Sequence, residues 1–186
     1  MDTKSMIVEI STSLFQKKGY KGVGLNEILK EGKITKGSLY HHFPNGKEEL
    51  LITCLQSMKE TITMDIEVTF KQYLTTLEAL QMMTEKLISD FEREGTIAGH
   101  TFNSMVSEMG SVSEPVRNAC LDLYIKIQGI IAEKLLADGF SEENARSIAL
   151  AVTAAIEGSM LLCLTQQSSE PLKIILQVLP NLLKEY

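Results

Sequence analysis

The sequence predicts an all-α protein of about nine helices: a small N-terminal three-helix head built on a helix-turn-helix, then a larger helical body. Three observations carry this. Apolar residues recur three and four apart through almost every segment, which places them on one face of a helix. No segment shows the convincing alternation of a half-buried strand. Caps and breakers, among them Gly19, Gly32, Pro44, Gly110, Pro115, Gly139 and Pro171, divide the chain into helix-sized pieces.

The first helix is predicted over 3–18, capped by Asp2 or Thr3. Met6, Ile7, Ile10, Leu14 and Phe15 share its apolar face. Lys17 and Lys18 suit the negative end of the helix dipole, and Gly19 ends the helix. Two short helices follow. Leu25, Ile28 and Leu29 line one face of the first, which breaks at Gly32-Lys33. The second opens on Thr35, a good N-cap, and runs to Phe43. Ile34, Leu39 and Phe43 are placed to pack inward, leaving Thr35, Lys36, Ser38, Tyr40, His41 and His42 to project. Two short helices joined by a turn of about three to four residues are the pattern that lays a recognition helix in a DNA groove. The N–H groups near Thr35–Gly37 favour a phosphate, and Gly37 leaves room for close approach. Hydroxyls, a lysine and a phenol suit phosphate and base-edge contacts.

The run GLNEILKEGKITKGSLYHHFPNGKEELL resembles the DNA-binding motif of the TetR family of bacterial transcription regulators. Thr35-Lys36-Gly37-Ser38-Leu39-Tyr40 matches the family core, as do His42-Phe43, Lys47-Glu48-Glu49-Leu50 and, earlier, Gly19-Tyr20. The longer link Phe43-Pro44-Asn45-Gly46-Lys47 is similar to the LmrA/YxaF-like branch. The resemblance implies operator contacts from Gly24, Asn26, Thr35, Lys36, Gly37, Ser38, Tyr40, His41 and Lys47. Two positions depart from the pattern. Val23 stands where the family often has a threonine that opens the second helix, and Lys33 where its turn usually has glycine. A lysine at positive φ is strained by about 1–2 kcal/mol, which predicts a kink shifted onto Gly32.

After the Pro44-Asn45-Gly46 breaker, Leu50, Leu51, Cys54, Leu55, Met58 and Ile62 mark a long helix to about residue 70. Further helices are predicted over 74–91, as a short irregular helix over 97–109, and over 113–137 with Pro115 in the first turn. Ser141 and its acidic followers open another to about 167, rich in small residues from Ala149 to Ser159. Pro171 opens the last, interrupted at Pro180. The last two helices carry more apolar surface than a peripheral helix needs. That surface completes a monomer core or joins two copies, and the resemblance implies a homodimer.

Eight lysines stand against six acidic residues in 1–50, a net +2, whereas the remainder carries −8. The head is thus suited to phosphate, although so small a difference also arises by chance. Methionines and aromatics in the body suit an adaptable apolar pocket with a few polar anchors. The candidates for binding a small-molecule effector, which the resemblance implies, are Phe91, Phe102, Met105, Met109, Tyr124, Gln128, Glu157 and Met160. Glu157 is the sharpest polar anchor, in an otherwise apolar helix. Each of these residues is also plausible as plain core. His100 is either a residue gating the ligand or a surface histidine.

No catalytic residue, metal site or cofactor is expected. His41 and His42 point about 100° apart, and no nucleophile elbow, zinc-protease motif or phosphate-cradling loop occurs. No unbroken apolar run of about 18 residues occurs, so no membrane span is expected. Three widely spaced cysteines suggest no disulfide framework, making the cytoplasm the default location. The sequence is therefore read as a regulator, with residues 1–46 binding double-stranded operator DNA and 47–186 dimerising and taking up an effector. A repressor is favoured. An activator of the same fold, and a small-molecule-binding protein or enzyme whose head no longer reads DNA, are the alternatives.

Overall fold

A computed structural model of the chain describes residues 2–97 and 100–184, leaving aside the side chains of residues 100 and 101. Nine helices occur among the described residues, and no strand. They are α1 (Thr3–Gly22), α2 (Leu25–Glu31), α3 (Lys36–His42), α4 (Lys47–Gln72), α5 (Thr76–Glu94), α6 (His100–Met109), α7 (Glu114–Ala137), α8 (Glu142–Gln166) and α9 (Glu170–Leu182). The chain forms two compact units, Met1–Thr61 with Thr101–Asp122, and Ile62–His100 with Leu123–Tyr186.

In the first unit, Ile7, Phe15, Ile28, Leu39, Phe43, Leu50 and Leu51 are almost fully buried. Asp2 caps α1 by accepting the Ser5 N–H at 2.7 Å. Gly19 does interrupt α1, with φ at 70°, but helical backbone resumes as far as Gly22. A side chain at Gly19 would run into the Glu108 carboxylate, and the same carboxylate accepts the Lys21 N–H at 2.9 Å. The kinked end of α1 is thereby held by α6.

The expected shift of the α2 kink onto Gly32 does not occur. Gly32 is helical at φ −76°, and Lys33 takes the left-handed conformation at φ 48°. The hydrogen bonds explain why. The Ile34 N–H reaches the Leu29 carbonyl and the Lys33 N–H the Lys30 carbonyl, the paired closure of a Schellman helix end. That closure needs its left-handed residue at position 33, whatever residue stands there.

In the second unit, Thr75 and Glu78 form a full capping box at the start of α5, a signal that the sequence reading of a helix from Leu74 passed over. Ser141 caps α8 by accepting the Asn144 N–H. The predicted interruption at Pro180 does not end α9, which continues to Leu182, although Pro180 has no N–H to offer. Helix α9 packs against α8 and α5. An 18-residue window of α8 is long and apolar enough to cross a membrane by length and composition, with a mean hydropathy of 1.9. Counting only unbroken apolar runs missed this because Glu157 interrupts the stretch. Ile148, Val152, Ile156, Met160 and Cys163 are buried at helical spacing, the face of a core helix.

Candidate functional site

The helix-turn-helix is α2, the turn 32–35, and α3. Thr35 caps α3, its hydroxyl accepting the Ser38 N–H at 3.1 Å. The Lys36 and Gly37 N–H groups have no intrahelical acceptor at this helix start, and both residues are exposed. Leu39 is buried, anchoring the inner face of α3. Tyr40 is 37% exposed, with the Lys36 ammonium 5.8 Å from its ring centroid. Asn26, Lys36 and Tyr40 meet around a small hollow between α2 and α3, floored by Leu25, Leu29 and Leu39. Gly24, Asn26 and His41 are exposed, and Ser38 is half-buried at the cap. Thus, of the expected contact residues, the short-helix pair brings Asn26, Lys36 and Tyr40 together.

Lys47 is placed differently. Its ammonium donates to the Tyr20 carbonyl and lies 3.9 Å from the Tyr20 ring centroid. Burial lowers its pKa, and the Glu108 charge opposes that shift. A lysine at the start of a helix is unfavourable to its own dipole, but here it serves the carbonyl end of α1 instead. Burial, with a contribution from Glu48, raises the pKa of Tyr20. Val23 is 1% exposed, so it is core, and α2 has Gly24 as its N-cap, with no side-chain capping hydrogen bond. Lys18 pairs with Glu27, tying α1 to α2.

The second unit contains an apolar cavity of about 180 Å³ among α4, α5, α7 and α8. Ile62, Ile66, Leu87, Leu123, Ile127 and Ile156 form much of its wall, with Met83 and Met160. Among the described residues, its polar lining is Asp65, Thr69, Lys86, Asp90, Thr153 and Glu157. Of the expected effector residues, the structure brings Glu157 and Met160 to this cavity. Tyr124, Gln128 and Phe91 also lie in the second unit but do not line it. Phe102, Met105 and Met109 are buried in the first unit. The side chain of His100 lies outside the described residues. Sequence reading missed the isoleucines of the wall, because an apolar residue facing a cavity and one facing a packed core have the same spacing.

Comparison with known proteins identifies the chain. Residues 7–54 match the family of bacterial regulatory proteins called tetR, and residues 76–178 match the C-terminal domain of LmrA/YxaF-like transcriptional regulators. The HTH-type transcriptional regulator LmrA of Bacillus subtilis is 39% identical over 183 residues, covering 98% of this chain and 97% of its own. YxaF of the same organism, an uncharacterized HTH-type transcriptional regulator, is 34% identical over 184 residues, 99% and 96% of the two chains. The chain belongs to the TetR family. It falls in the LmrA/YxaF-like branch, as the link after Phe43 suggested, and is a DNA-binding transcriptional regulator of helix-turn-helix type. The fold agrees with solved structures of low identity. The reduced form of E. coli NemR superposes with a TM-score of 0.85 at 22% identity, covering 97% of this chain and 96% of that one. SCO4454, a TetR-family regulator from Streptomyces coelicolor, gives 0.86 at 18%, covering 98% and 95%.

The TetR membership also places the apolar excess of the last two helices in context. Leu150, Leu161 and Leu162 of α8 and Ile174 and Val178 of α9 are exposed in the single chain. Ala151, Ala154 and Gly158 lie exposed along α8 among them, and a side chain at Gly158 would meet nothing within 4 Å. Small residues flanked by leucines on an open face permit close approach of another helix.

Proposed function

We propose that this TetR-family regulator is a cytoplasmic homodimeric repressor, released from its operator by a small, largely apolar molecule, and not an enzyme. Residues 1–46 serve as the operator-binding head and 47–186 as the part that dimerises and takes up the effector. Thr35, Lys36, Gly37, Ser38, Tyr40 and His41 contact DNA through α3, supported by Gly24 and Asn26. Lys47 approaches phosphate only by exchanging its Tyr20 partner. The exposed α8–α9 face joins two copies, so that two heads meet two half-sites.

The observation that carries the ligand-responsive part is the cavity, a mostly apolar space of about 180 Å³ with polar groups at a few points. Helices α4 and α7 both contribute to its wall, and both also have residues in the first unit. An effector that binds better to the arrangement unable to hold DNA weakens operator binding, and operator weakens effector binding by the same factor. The test is fluorescence anisotropy on DNA from upstream of the protein's own gene, with scrambled DNA and a salt series. Sequence-selective, salt-dependent binding of two copies per site is expected. Equal affinity for scrambled DNA, there and across a genomic pull-down, refutes the operator-binding reading.

A further inference from the structure

Among the described residues, the polar lining of the cavity in the second unit consists mostly of hydrogen-bond acceptors. The Thr69 hydroxyl donates its hydrogen to the Asp65 carbonyl at 2.9 Å, and the Thr153 hydroxyl to the Ala149 carbonyl at 2.7 Å. A hydroxyl has one hydrogen, so both offer a ligand only lone pairs. Asp65, Asp90 and Glu157 add three carboxylates, which when ionised only accept. Among the described residues of the lining, Lys86 supplies the only side-chain N–H groups, and its ammonium already faces Asp65 Oδ2 at 2.9 Å. Asp90 accepts from Arg93 at 2.6 Å, but a carboxylate has about four lone-pair positions, so one such bond leaves it able to take another. An anionic ligand would meet three carboxylates, with Lys86 and Arg93 already paired to two of them. A neutral acceptor would meet, among the described residues, only the remaining N–H groups of the Lys86 ammonium.

From this inventory, we infer that the effector is an apolar primary or secondary amine, bound as the ammonium ion, with its hydrocarbon part against the isoleucine wall and its N–H groups toward Glu157 and Asp90. This rests on the reading above that the cavity is the effector site. The volume exceeds that of the roughly 150 Å³ apolar cavity known to take a benzene ring, so a phenyl ring with a short alkyl chain is a fitting probe. Glu157 lies one helical turn before Met160 and next to Ile156, so polar and apolar recognition sit side by side on one stretch of α8.

The experiment is calorimetric titration of the full-length protein with three probes of one shape: 4-phenylbutylamine, 4-phenylbutanol and 4-phenylbutanoate. The amine is expected to bind at least about tenfold more tightly than the alcohol, and the carboxylate most weakly, because a charge-assisted hydrogen bond is replaced by a weaker one and then by repulsion. Glu157→Gln is expected to remove about tenfold from the amine and distinctly less from the alcohol. Ile127→Phe, which fills the cavity, should abolish binding of the amine while the thermal melt stays cooperative. Alcohol or carboxylate binding as tightly as the amine overturns the amine assignment and leaves the cavity as an effector site. Amine binding that survives Ile127→Phe in a folded protein overturns it by placing the amine elsewhere. No binding by any of the three overturns both the assignment and the cavity reading.

Discussion

The exposed face of α3 and the exposed face of the α8–α9 pair are opposites in chemistry. On α3, the side chains most exposed to water are Lys36, Tyr40 and His41, near the exposed start of the helix. On α8 and α9, Leu150, Leu161, Leu162, Ile174 and Val178 reach water around small residues. Neither face is what a helix needs merely to cover a core. The first suits a polyanion, where capping groups and cations act at short range. The second suits another apolar surface, since leaving it in water forgoes about 25 cal/mol for every Å² that could be buried. Each face therefore points to a different partner by the same test: what its exposed atoms lack.

The sharpest way to break that contrast is to charge the apolar face. Leu161, 51% exposed, is one of its leucines. Leu161→Asp is expected to weaken dimerisation by about 30-fold or more, the range of a buried hot-spot residue, and operator affinity with it. Sedimentation equilibrium would read the first effect and anisotropy the second, while the unfolding midpoint of the monomer should hardly move. An unchanged dimer mass would show that the exposed leucines are not the joining surface.

A smaller effect is expected on the polar face. Lys36→Ala should lower affinity for every DNA sequence alike and reduce the slope of log affinity against log salt by about one. Tyr40→Ala should cost about 1 kcal/mol on the operator and less on scrambled DNA, with the dimer unaffected. The Tyr40 ring also lies against Gly46, 3.5 Å from where a Cβ there would stand, so its melting temperature must be followed beside binding. A loss of DNA binding no larger than the change seen on scrambled DNA would remove Tyr40 from sequence reading.

These two faces were legible from the sequence to different degrees. The α3 face could be read residue by residue because caps, turn residues and short-helix spacing are local signals: Thr35 does cap, Leu39 does turn inward, and the helices lie within a few residues of their expected bounds. The apolar excess of α8 and α9 was equally visible, since it is composition. The cavity was not. Glu157 stood out as a carboxylate in an apolar helix, yet Phe102 and Met105, apparently as good, are fully buried in the other unit. Whether a side chain borders empty space depends on which helices converge there, a long-range property that periodicity does not contain. The Lys47 partner was hidden for the same reason, since Tyr20 lies 27 residues away.

The smallest effect tests the place where local preference was expected to prevail and did not. Lys33 holds φ 48° because the end of α2 closes with hydrogen bonds from both Lys33 and Ile34. Moving the left-handed residue to Gly32 would relieve about 1–2 kcal/mol of strain but would undo that closure, whose two bonds are worth about as much together. Gly32 is also confined: a Cβ there would stand 3.1 Å from the Ile28 carbonyl oxygen. Lys33→Gly relieves the strain while keeping the bonds, and the greater freedom of glycine in the unfolded chain takes back about 0.5–1 kcal/mol. A net stabilisation of about 0.5–1 kcal/mol is expected in urea unfolding. Lys33→Asn, which tolerates the same conformation without glycine's freedom, should match it and removes the same charge. If both variants unfold at lower urea than the parent, the lysine is held there by a favourable interaction rather than by the closure. If both are more stable yet bind operator less well, the lysine stands in a strained conformation while its ammonium serves the DNA-binding face.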